Sequence, residues 1–181
     1  MTIAGDKVRV QTFVRVPQRD AFDVFTLELD AWWRQGPAYR VGGKHQGPMH
    51  LEPKLGGRVF QEYGPTRERV HQIGTVTIWD PPAHFAFTWR GINFKESDAD
   101  TIVEVWFEKA PEGTRVILEH RGFASLRPDH PVRHGQPIVE FIRDFGMWWG
   151  SLATAMREFA EDKAAASAED KAATSGEENV R

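Results

Sequence analysis

His120 ends the stretch Thr114-Arg115-Val116-Ile117-Leu118-Glu119-His120, in which Val116, Leu118 and His120 share one parity. An imidazole closing an apolar stripe can act as acid or base near neutral pH, or donate a hydrogen bond to a ligand carbonyl. A lone histidine in such a place is more often a satisfied core group than a catalyst. Glu104 has the opposite parity from Val103 and is expected to face water, so it forms no dyad with His120. Only a water or a rim residue such as His71 remains as a partner for proton transfer.

Other stretches are poorer in chemistry. His130 and His134 stand in RPDHPVRHGQP beside Asp129, but Pro131 between them prevents the helical i, i+4 geometry of a zinc-binding pair, so no metal is expected. That segment reads instead as a loop able to cover a cavity mouth. GGKHQGP at 42–48 is glycine-rich but has neither the lysine–hydroxyl pair of a phosphate-binding loop nor a dinucleotide fingerprint, so no cofactor is expected. There is no G-x-S-x-G elbow. With no cysteine in the chain, disulfides, thiolate metal sites and a thiol nucleophile are excluded.

A net charge of −3 offers no field to attract nucleic acid. The chain has no apolar run long enough for membrane insertion, and its first ten residues lack a signal-peptide pattern, so a soluble cytoplasmic protein is expected. The aromatic residues, 7 Trp and 12 Phe against 2 Tyr, favour large apolar surfaces with few polar handles.

The elements that would position these groups follow from periodicity. Val8, Val10, Thr12, Val14 and Val16 alternate with polar residues, as in a half-buried strand. Pro17 ends that strand and opens a short helix over 18–27, with Ala21, Phe22, Val24 and Phe25 inward. Six further strands are expected near 48–53, 57–63, 69–79, 84–91, 101–109 and 114–121, with Arg90, Glu104, Glu108, Arg115 and Glu119 toward water. A sheet with one wet face needs a cover for the dry one. The amphipathic stretch 136–162, with Phe141, Phe145, Leu152, Met156 and Phe159 at spacings compatible with one helical face, supplies it. The order β-α-β6-α implies an α+β fold, one domain over 1–162, and a frayed helix end with a disordered tail over 163–181.

Within that helix, RDFGMWWGSL places Trp148 and Trp149 about 100° apart, so one packs inward and the other guards a rim. Gly146 and Gly150 are expected to let the helix approach a strand or ligand closely.

The motifs VPQRDAFDVFT, DAWW, LEPKLGGRVFQEYG, GTVTIWDPPAHFAFTW, GTRVILEHRGF and WWGSLATAM, in this order, resemble the AHSA1-like branch (activator of Hsp90 ATPase homologue-like) of the START and Bet v 1 superfamily, also called SRPBCC. The resemblance spans about residues 7–160. It implies the helix-grip fold, a curved antiparallel sheet wrapped around a long C-terminal helix with a cavity between them. Superfamily members include carriers of lipids, sterols and plant hormones, aromatic cyclases and co-chaperone domains.

On that fold the expected cavity lining from the sheet is Phe60, Trp79, Phe87, Trp89, Val103, Val105, Phe107, Leu118 and His120. Trp33 would come from the entrance, and Phe145, Trp148, Leu152 and Met156 from the helix. Such a lining suits non-catalytic binding of a small apolar, aromatic or lipid-like ligand. The alternatives are a protein-interaction or co-chaperone-like module, including a homodimer, and a cyclase or dehydratase using His120.

Overall fold

The computed structural model describes residues 6–178. Seven strands, β1 (Lys7–Val14), β2 (Gln46–Leu51), β3 (Arg58–Tyr63), β4 (Arg69–Asp80), β5 (His84–Trp89), β6 (Thr101–Ala110) and β7 (Gly113–Arg121), form one antiparallel sheet. Their spatial order is β1-β7-β6-β5-β4-β3-β2. Strands β2 to β7 thus run as a meander, and β1 joins its far end beside β7, with Val8 opposite His120. Two helices, α1 (Gln18–Leu27) and α2 (Leu29–Trp32), connect β1 to the meander, and the long α3 (Ile138–Glu178) follows it. The sheet curls around α3 in the α+β helix-grip arrangement.

Local sequence explains most boundaries. Pro17 supplies the carbonyl that accepts from Ala21 N at the start of α1, and Pro137 does the same for Phe141 at the start of α3. On α1, Ala21, Phe22, Val24, Phe25 and Thr26 are buried. The inward residues of β5, β6 and β7 alternate as period two demands: Phe85 and Phe87, Val103, Val105 and Phe107, then Val116, Leu118 and His120 are all buried. Against them α3 places Phe141, Trp149, Leu152, Met156 and Ala160. Burying a side chain such as Leu152 or Met156 contributes about 2–3 kcal/mol each.

The outer face is less wet than its charges suggest. Glu119 is buried beneath Lys7 at 3.2 Å and Arg9 at 2.5 Å, because β1 pairs with β7 and sets Arg9 directly opposite it. Glu104 lies between His84 at 2.8 Å and Arg121 at 2.6 Å.

The C-terminal segment also differs from the sequence-based expectation. Helix α3 does not fray at 163 but continues to Glu178, and residues 165–176 are exposed. The segment is rich in alanine, the strongest helix former, so intrinsic propensity carries the helix beyond its packing surface. Residues 179–181, the rest of the expected tail, and residues 1–5 of the expected domain lie outside the described residues.

Candidate functional site

One end of the space between sheet and helix is not filled. A cavity of about 390 Å³ lies there, within the range that holds small organic ligands. Strand parity sends Gln61 of β3, His71 and Ile73 of β4 and Trp89 of β5 into it. The segment after α2 contributes Trp33 and Tyr39–Val41, the turn after β5 contributes Gly91–Asn93, and the loop before α3 contributes Val132, His134 and Gln136. Helix α3 closes the wall with Phe141, Asp144, Phe145 and Trp148, spaced along one face.

Aromatic rings dominate this wall and are mutually ordered. Tyr39 stacks on Trp148 (5.7 Å, 18°), Trp148 on Phe145 (5.1 Å, 15°) and Phe145 on Phe141 (5.3 Å, 18°), making a column of near-parallel rings. Trp33 meets Trp148 edge-on at 5.9 Å, and Trp89 meets Phe145 at 6.0 Å. The indole N–H groups of Trp33 and Trp148 donate to the carbonyls of Tyr39 and Ala38. Those bonds tie the 38–41 segment to the rings it covers.

Arg40 holds that segment from beneath. Its buried guanidinium donates from Nε to Arg34 O, from Nη1 to the Asp30 carboxylate and Gly47 O, and from Nη2 to Asp30 O and Trp33 O. Gln61 acts as a substitute strand partner, its Oε1 accepting from Val41 N at 2.9 Å and its Nε2 donating to Val41 O at 3.0 Å.

His120 lies outside the cavity, fully buried. Its Nδ1 accepts from Trp149 Nε1 at 3.1 Å, which requires the neutral ring's proton on Nε2, and Nε2 lies 2.7 Å from Thr101 Oγ1. Thr101 Oγ1 donates to Trp89 O at 3.0 Å, so the chain Trp149, His120, Thr101, Trp89 is directional and satisfied throughout. Burial holds the His120 pKa well below the ordinary histidine value. With both nitrogens engaged and no opening to the cavity, His120 has no geometry for proton transfer to a ligand. The cyclase-type reading therefore loses His120, while His71 lies in the cavity wall.

The remaining expected lining residues separate into four groups. Trp33, Trp89, Phe145 and Trp148 line the cavity. Leu118, Leu152 and Met156 border only a second void of about 10 Å³, too small for an organic ligand. Phe87, Val103, Val105 and Phe107 are packed solid, and Trp79 packs edge-on against Phe22 at 5.3 Å, because α1 fills that end of the sheet. Phe60 faces outward, under the Arg58 guanidinium (4.6 Å) and against His50 (4.7 Å). Val59 and Gln61 take the inward parity of β3 instead.

The glycines also behave differently from expectation. A Cβ on Gly146 would meet Val8 Cγ1 at an ordinary 3.8 Å, and one on Gly150 would meet nothing within 4 Å, so neither glycine is needed for close approach. Of the two adjacent indoles, Trp149 packs and Trp148 takes the rim.

The polar members Arg40, Gln61 and Asp144 carry no local sequence signal, since their roles depend on partners that only the fold brings near. His130 and His134 do not converge. His130 is buried with Nε2 3.0 Å from Asp98 Oδ2, while its Nδ1 accepts from Val132 N at 3.1 Å. Asp98 also accepts from Arg127 Nη1 at 3.1 Å and Lys95 N at 2.7 Å, which clasps the turn after β5 to the loop before α3 at the cavity mouth.

A family model described as Activator of Hsp90 ATPase homolog 1-like protein matches residues 15–139. Among curated protein sequences none matches the chain. Solved structures similar to it include protein NE0264 from Nitrosomonas europaea, at 12% identity, covering 90% of this chain and 99% of that one with a TM-score of 0.61. The Aha1 dimer from Colwellia psychrerythraea is similar at 12% identity, 86% and 96% coverage and a TM-score of 0.57. PFC0360w, an HSP90 activator from Plasmodium falciparum, is similar at 17% identity, 79% and 87% coverage and a TM-score of 0.53. At such identities the likeness is one of fold.

Proposed function

The chain belongs to the Activator of Hsp90 ATPase homolog 1-like family, and from that premise we propose that it binds a small, flat, largely apolar ligand without covalent chemistry. The observation that carries this reading is the contrast within one interior: one end is packed solid, while the other keeps about 390 Å³ walled by stacked aromatic rings. Native cores are close-packed, so a void of that size beside a well-filled half calls for an occupant.

Native mass spectrometry of gently purified protein, followed by thermal denaturation against a library of aromatic and lipid-like compounds, tests the reading. A ligand at a hundred times its Kd adds about 2.7 kcal/mol, a rise of about 5–10 °C for a chain of this size. Ile73→Phe, which enlarges a buried wall residue, should abolish that rise while the protein stays folded. Absence of any retained molecule, together with no stabilising compound, would count against it.

A second reading is assembly with a protein partner or a second copy. It draws on the likeness to the Colwellia dimer and the Plasmodium HSP90 activator, and on the edge strands β1 and β2. Sedimentation velocity separates it from the first: a single monomeric species over a wide concentration range would dispose of self-association.

A further inference from the structure

Charge is distributed unevenly around the cavity, and that narrows the class of ligand; this step rests on the ligand-binding reading above. Apart from its two histidines, the wall has two ionisable groups that are charged at neutral pH, Arg40 and Asp144. Arg40 is buried against Asp30 at 2.5 Å, and all five of its N–H donors are engaged within the protein, so its guanidinium offers nothing to an anion. Two other arginines lie close in sequence but do not line the cavity. Arg133, buried on the loop before α3, turns its Nη2 to the carbonyls of Phe123 and Leu126, and the Arg143 side chain is 68% exposed.

Asp144 is different. It stands on α3 one turn before Trp148, and its carboxylate accepts from Gln136 Nε2 at 2.7 Å and from Arg143 Nε at 3.0 Å. These bonds, that from Gln136 foremost, hold its pKa below the ordinary carboxylate value, so it is ionised at neutral pH. The carboxylate is part of the wall while its cationic neighbour lies outside it, and an exposed ion pair of this kind compensates little. The cavity therefore faces one negative charge and no available positive one from lysine or arginine.

The rest of the polar wall is neutral when its imidazoles are neutral. The indole N–H groups of Trp33 and Trp148 are held by backbone carbonyls, Tyr39 Oη lies 3.1 Å from Ser151 Oγ, and the Gln61 amide is occupied by Val41. Among the described residues, the Trp89 indole N–H, the Asn93 and His134 side chains and Gln136 Oε1 make no hydrogen bond within the protein, and His71 keeps at least one ring nitrogen free. These groups can both give and accept hydrogen bonds, which suits an uncharged head group.

We propose that Asp144 is the specificity-determining residue of the cavity, excluding carboxylates and other anions, and that the ligand is a neutral aromatic or lipid-like molecule with a carboxamide, ketone or hydroxyl head rather than an aromatic or fatty acid. An organic cation gains little there: Gln136 and Arg143 already occupy the Asp144 carboxylate, and the ammonium loses its hydration on entry.

Isothermal titration calorimetry at pH 8, above the ordinary histidine range, tests this with three probes of one skeleton: 2-naphthamide, 2-naphthoate and 2-naphthylmethylammonium. In the wild-type protein the amide should bind tightest, at least about tenfold more tightly than the carboxylate. Asp144→Asn keeps an acceptor for Gln136 and removes the charge. In that variant naphthoate affinity should rise about tenfold, as expected for like charges about 8 Å apart at an effective dielectric of about 30, while naphthamide affinity stays within about twofold. Ile73→Phe should block all three probes. Wild-type binding of naphthoate or of the ammonium as tight as that of the amide overturns the inference and leaves the cavity reading standing, and so does an amide-over-carboxylate preference unchanged in Asp144→Asn. Failure of every probe to bind, or binding that survives Ile73→Phe, overturns both.

Discussion

Replacing His120 by glutamine isolates the proton linkage of a fully buried ionisable group. In the folded protein its ring is neutral, because burial depresses its pKa and nothing in the Trp149–His120–Thr101 chain stabilises a charge. In the unfolded chain the same ring titrates near 6.5. Below that pH the unfolded state binds a proton that the folded state does not, so stability is fully present above 6.5 and falls as the pH drops, until the depressed folded pKa is reached. The slope approaches about 1.4 kcal/mol per pH unit, and between pH 7 and 5 the loss from this ring is about 2 kcal/mol. Carboxylates held below their ordinary values, among them Glu52, Asp98 and Glu119, enter only at lower pH, and the smaller His71 linkage is common to both proteins. Glutamine can offer an acceptor to Trp149 and a donor to Thr101 but takes up no proton. Urea denaturation followed by tryptophan fluorescence at pH 7, 6 and 5 should therefore show the wild type losing about 2 kcal/mol more than His120→Gln across that range. Parallel pH profiles, or an NMR resonance of His120 titrating near 6.5 in the folded protein, would refute the argument.

Two more outcomes are expected. Gly150→Ala should stabilise the protein by about 1 kcal/mol, or 2–4 °C in Tm, because a Cβ there meets open space and alanine is the better helix former; a fall in Tm would mean that the glycine has a role the packing does not reveal. Asp98→Ala should raise hydrogen exchange at the Lys95 and Val132 amides by releasing the two loops at the cavity mouth. The same release should occur in the wild type only in acid, as the pH falls through the depressed Asp98 pKa, and unchanged exchange in the variant would dispose of the clasp.

Much of the architecture was legible from local pattern. Alternation in β5 to β7 identified the buried residues, Pro17 marked the start of α1, and the spacing of apolar residues identified the face of α3, because each depends on local backbone pattern within a few residues. The same periodicity failed at Phe60. Its aromatic ring suggested the core, yet the inward position on β3 belongs to Gln61, whose partner Val41 is distant in sequence. Adjacent indoles about 100° apart could not be told apart without their partners, Ala38 for Trp148 and His120 for Trp149.

By itself the sequence determined an α+β chain with one dry sheet face and one long helix to cover it, since those properties repeat along the backbone and survive any local error. Only the tertiary structure decided where the interior is solid, where it is hollow, that His120 is sealed and that His71 faces the hollow. A void is set by the combined volumes of side chains far apart in the chain, and a hydrogen-bonding group is free or engaged according to neighbours that folding alone supplies.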